Sequence, residues 1–129
     1  MKKLYSVLGF LLLASMTLKA TDFTSTGTGD WNNSATWTPS GVPGAGDNLT
    51  ILINHIITLT ADAACNNLPI NISGPTVGFL STGAFTLQIN GVLSSSSVSS
   101  PGNIISTSGG GIVKFVGAGR ALFGTWEPF

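Results

Sequence analysis

The chain has 129 residues, enough for one domain, and only 8% of them are charged. Setting aside residues 1–20, which read as a leader, leaves Lys114 and Arg120 against five acids, a net charge of −3. That balance excludes a phosphate-binding surface of the kind nucleic acid needs, and it disfavours a binder or lyase of acidic polysaccharide. Seventeen glycines, abundant Ser, Thr and Asn, and few helix formers favour strands and turns.

Lys2 and Lys3 precede a mostly apolar run over residues 4–18, and Leu18-Lys19-Ala20 offers a small residue at a cut position. This is the pattern of a secretory signal peptide, expected as a detached helix that meets the membrane only during export and is removed near Ala20. It is short for a membrane anchor and has no stop-transfer charges beside it. The expected product is secreted or held at the cell surface. Cys65 is the sole cysteine, so no internal disulfide forms, and it is expected as a small buried residue.

Residues 21–48 are expected to form an N-terminal cap and turn region, with a first short strand over 22–25. Trp31 and Trp37 stand six residues apart in polar sequence. They are the candidate ligand-binding residues, as a stacking platform for sugar. The competing expectation is an apolar lid, because a solenoid must cover its first rung. One helical turn is expected over 33–36. The Pro/Gly run that follows ends at Asp47, whose carboxylate is expected to accept backbone N–H bonds within the turn. Asp47 has no acidic partner at the spacing a calcium loop requires.

From Leu49 the chain alternates with period 2. Leu49, Ile51, Ile53, Ile57, Leu59 and Ala61 share one parity and are expected to face inward. Asn54-His55 marks a bend, with His55 as a rim residue. Further strands are expected over 68–72, 77–80, 85–89, 92–93, 104–106 and 112–116. Gly74-Pro75 and the tight-turn dipeptide Asn90-Gly91 separate some of them, and a Ser-rich loop over 94–102 protrudes. Pro69 falls within one strand and is expected where pairing is one-sided.

Leu49-Thr50-Ile51, Leu68-Pro69-Ile70 and Leu87-Gln88-Ile89 recur at intervals of 19 residues. No crossover helices fit between such short strands, so the fold is expected to be all-β, a short or incomplete parallel β-helix with rungs over 49–119. A hairpin-built sandwich is the alternative. The spacing predicts that Leu49, Leu68 and Leu87 stack in one column and Ile51, Ile70 and Ile89 in another. Residues 120–129 break the pattern and are expected as an irregular tail of what reads as a piece of a longer protein. An uncapped last rung there would invite self-association.

Gly29-Asp30-Trp31, Ala35-Thr36-Trp37 and Gly41-Val42-Pro43-Gly44-Ala45-Gly46-Asp47 resemble the opening of large secreted bacterial β-helix surface proteins of the adhesin kind. The same opening is similar to the G8 domain, a glycine-rich β-strand module of extracellular proteins. Ile57-Thr58-Leu59-Thr60-Ala61-Asp62 and Cys65-Asn66-Asn67-Leu68 extend the likeness, which covers roughly residues 23–119. The chain departs from the pattern at Pro69, where family strands usually carry Thr, and it lacks the C-terminal domain of the large members. The resemblance implies no catalytic residue that can be placed here, and no cofactor or metal is expected.

Two functions follow as expectations. One is a non-catalytic structural or adhesive surface module whose partners are cell-surface or extracellular glycans or proteins. The other is a carbohydrate-binding or carbohydrate-active β-helix. Glycosidic cleavage would need two suitably spaced carboxyl groups. Asp22, Asp30 and Asp47 lie in the cap region, Asp62 in a turn and Glu127 in the tail, and no pair repeats at rung spacing. Catalysis is therefore not expected.

Overall fold

The computed structural model describes residues 19–73, 76–95, 104–116 and 120–122. The expected leader helix, the Gly74-Pro75 turn, the Ser-rich loop beyond Ser95 and the tail beyond Leu122 lie outside the described residues. Within them the chain is a parallel β-solenoid of about three turns with three faces. The first face stacks β1 (Asp22–Ser25), β4 (Asn48–Thr50), β7 (Leu68–Ile70), β12 (Val92–Ser95) and β15 (Arg120–Leu122). The second stacks β2 (Gly29–Asp30), β5 (Ile56–Thr58), β10 (Phe79–Ser81) and β13 (Ile105–Ser106). The third stacks β6 (Ala63–Cys65), β11 (Thr86–Ile89) and β14 (Ile112–Phe115). β3 (Trp37–Thr38) closes the first face by pairing antiparallel with β1. A small antiparallel pair, β8 (Ile72–Ser73) with β9 (Thr76–Val77), forms its own two-stranded sheet, with Val77 packed against the core.

Alternation places apolar side chains of the short strands inside. Phe23, Leu49, Ile51, Leu68, Ile70 and Leu93 enter the core from the first face, and Ile57, Leu59 and Leu80 from the second. Cys65, Leu87 and Ile89 enter from the third. Each fully buried Leu or Ile contributes about 1.5–3 kcal/mol against exposure. Strands of two to four residues could not persist without this shared core and the ladders above and below them.

The expected columns hold only in part. Ile51 does bridge Ile70 in parallel. Leu87 and Ile89, however, lie on the third face, over Ala63 and Cys65 and beneath Val113 and Phe115. The residue above Leu68 is Leu93. Along the first face, Phe23, Leu49, Leu68, Leu93 and Ala121 succeed one another at steps of 26, 19, 25 and 28 residues. The 19-residue interval is thus the shortest turn of an uneven spiral, and its second recurrence moves the chain to another face. Turn length varies because added residues are absorbed at the corners, where no register constrains them.

Other expectations are corrected at those corners. Ile53 is 37% exposed and Ala61 is also exposed. Asn54 takes φ 62° and bends the chain between faces, so parity does not carry through. The strand expected over 77–80 is split at Gly78, whose added Cβ would meet the Leu52 carbonyl at 2.8 Å. Asn90-Gly91 turns between faces and makes no hairpin. Residues 120–122, expected as irregular tail, form β15, because the backbone ladder to β12 asks nothing of side-chain pattern. Pro69 behaves as expected. Its C=O accepts from Ile51 at 3.1 Å, but it has no N–H to return, and β4 meets β7 through a single bridge.

Gly91 is fixed by its neighbours, since a Cβ there would lie 2.7 Å from Asn66 Oδ1 and would also strike Asn67 Oδ1. Gly46 faces open space. Gly91→Ala is expected to cost about 1–3 kcal/mol by overpacking, while Gly46→Ala changes little. Paired chemical melts of the two variants check this, and equal stabilities would contradict the corner geometry.

Candidate functional site

Trp31 follows β2 and Trp37 begins β3, joined by a 3-10 turn at Ser34–Thr36 that Asn33 caps by accepting from Ala35 N at 3.0 Å. The turn brings the two rings together. They are 0% and 2% exposed, with centroids 5.6 Å apart at 75°. Phe23 adds a second edge contact to Trp37 at 6.5 Å. Trp37 Nε1 donates to the Trp31 carbonyl at 2.8 Å, and Trp31 N donates to the Thr58 carbonyl at 2.8 Å, which ties the pair to the second rung. Neither ring offers a face to solvent. Sugar stacking would need such a face, whereas a lid over the first rung needs what is observed.

The carboxylates act between rungs. Asp47 accepts from Thr21 N and Gly44 N, both at 2.8 Å, as expected for the acid that ends the Pro/Gly turn. Asp22 accepts from Asn48 Nδ2 at 2.8 Å, and Asp62 accepts from Thr86 N at 2.8 Å. Asp30 is exposed at the end of β2, and Glu127 lies outside the described residues. Among the described residues, no three His, Cys, Asp or Glu side chains gather as a metal site.

His55 is half-buried beside the Asn54 bend. Its Nδ1 lies 2.8 Å from Ser25 Oγ, which also accepts from Leu52 N at 2.9 Å. The pair fastens the bend to β1. With Ser25 only 2% exposed, it presents no nucleophile to a substrate. Cys65 is buried in the third face, and desolvation pushes its thiol from an ordinary 9.0 up to about 12.

A column that went unread in the sequence runs along one corner. Asn48 Oδ1 accepts from Asn66 Nδ2 at 3.0 Å and Asn67 Nδ2 at 2.9 Å, and Asn67 Oδ1 accepts from Val92 N at 2.9 Å. With Asp22 below, the column crosses four successive rungs. Its signal was present: Asn48-Leu49 and Asn67-Leu68 repeat at the same 19-residue interval as the first two triplets. A shallow depression on the third face is lined by Asp62, Ala63, Ala64, Thr86 and Gln88, without an aromatic ring.

The chain matches no family model, no curated protein and no solved structure. Among the described residues no helix is long and apolar enough to cross a membrane.

Two outcomes follow. Trp31 Nε1 is buried without a hydrogen-bond partner, whereas Trp37 Nε1 has one. Trp37→Phe should therefore destabilise more than Trp31→Phe, by about 1 kcal/mol, in denaturant titrations followed by circular dichroism. At pH 8 a thiol with pKa about 12 is ionised in only about one molecule in 10⁴. Cys65 should resist alkylation in the folded protein and label readily in denaturant, which mass spectrometry reads directly.

Proposed function

We propose that this chain is a non-catalytic structural or adhesive β-solenoid module that acts outside the cell. The observation that carries the reading is the use of its reactive side chains. Asp22, Asp47 and Asp62 hold rungs together through side-chain or backbone N–H groups. His55 holds a bend, and both tryptophans lie within the core. What the lateral faces offer, beside exposed Ile56 and Ile112, is a surface of few charges with hydroxyl and amide side chains. Thr58, Ser81 and Ser106 follow one another in register on the second face. Such a surface is suited to broad, weak contact with extracellular glycans or proteins. The leader-like N-terminus and the G8-like opening support the same reading.

The test combines location and activity. The full chain expressed in a secreting bacterium should be recovered at the surface or in the medium with its first residue near position 21. Deleting its gene in the source cell should reduce attachment to surfaces. Release of sugar from a polysaccharide panel by the purified protein would sink the reading. Retention on a glycan array without hydrolysis would replace it with a carbohydrate-binding module.

A further inference from the structure

Among the described residues, Thr21 is the first whose backbone is held at both ends. Its N–H donates to Asp47 Oδ1 at 2.8 Å, and its carbonyl accepts from Asn48 N at 2.9 Å. Lys19 and Ala20 before it are exposed and belong to no strand. Asp47 is the hub of this corner. Its second carboxylate oxygen accepts from Gly44 N at 2.8 Å, and its carbonyl accepts from Asn66 N at 2.7 Å. It joins the entry to β1, the Pro/Gly turn and the corner after β6, beside the column of Asp22, Asn48 and Asn67. Thr21 and Asp47 are both half-buried. Among the described residues no cation pairs with the Asp47 carboxylate.

An amide N–H brings no charge to this contact. Cutting the chain before Thr21 changes the donor. The leader read from residues 1–20 ends on Ala20, a small residue at the cut position. Its removal turns the Thr21 amide into an α-ammonium, which is cationic at neutral pH. We propose that the bond between Ala20 and Thr21 is the processing site, and that the amine it frees becomes the counter-ion of Asp47. Hydrolysis consumes one water. The Ala20 carbonyl carbon takes the oxygen and becomes a carboxylate, and both protons end on Thr21 N.

No other cut serves this corner. One residue earlier leaves Thr21 N as an amide, and one residue later removes both of its bonds. The ammonium keeps its place on Asp47 Oδ1 and adds charge to the contact. Charge-assisted hydrogen bonds are about twice as strong as neutral ones. Processing thus completes the fold: the leader-bearing chain closes its first corner with a neutral donor, and the cut chain closes it with an ion pair. The cut rests on the export reading above, whereas the ion pair is measured apart from it.

Mass spectrometry of the full chain, recovered after export from a secreting bacterium, should give Thr21 as the first residue. The processed chain then carries two amines, at Thr21 and at Lys114. Lys114 is exposed, so Lys114→Arg leaves the α-amine as the sole target without disturbing the fold. Acetylating that amine restores an amide and removes only the charge. Denaturant titration should show the folding constant lowered about fivefold. In Asp47→Asn on the same background, acetylation should change nothing measurable. Salt gives the same answer if Asp47→Asn does not fold: at about 1 M the screening length is about 3 Å, and the acetylation effect should shrink. A first residue other than Thr21, acetylation without effect at low salt, or an effect of equal size in Asp47→Asn would each overturn the proposal. Polysaccharide cleavage would sink the non-catalytic reading and leave the ion pair standing.

Discussion

The solenoid depends on one constraint: each turn must return the chain to the same corner at the right height to bond the turn below. Asp22, Asn48 and Asn67 enforce this where the first face begins. Their side chains bond one another and the backbone of the next rung, from Asp22 up to Val92 N. Amide side chains suit the task because each carries a donor and an acceptor, so a column of them can be satisfied in both directions. The corner admits no extra atom, which is why the chain passes over Asn66 and Asn67 as glycine at position 91. With the corner held, strands too short to stand alone need only supply one inward apolar residue and a backbone ladder.

A second demand is that the ends be finished. An exposed rung has bare backbone groups and an uncovered core. At the N-terminal end the solution is local in sequence. A six-residue interval folds through a 3-10 turn and lays two indoles edge to face, with one N–H bonded to the neighbouring carbonyl.

The third theme is economy of charge. A carboxylate that accepts two backbone N–H bonds, as Asp47 does, is held for structure. His55 and Ser25 are likewise spent on fastening a bend. With these groups turned toward rung closure, what lines up along the outside of the second face is Thr58, Ser81 and Ser106.

The sequence by itself determined the fold class. Alternation in Leu49-Thr50-Ile51, the absence of room for crossover helices and the density of turn residues leave little but stacked parallel strands. It also determined the role of Asp47, because an acid closing a Pro/Gly run has backbone amides within reach. Only the tertiary structure decided which residues stack. A period-2 pattern fixes which side of a strand faces inward and says nothing of how many residues a corner consumes. Leu87-Gln88-Ile89 therefore repeats the earlier triplets in sequence but lies on another face. Ile53 has the right parity, yet Asn54 turns the chain before that parity can count. Burial of Trp31 and Trp37 was decided in the same way, since two rings in a polar stretch serve equally as platform or lid until the rung beneath them is in place.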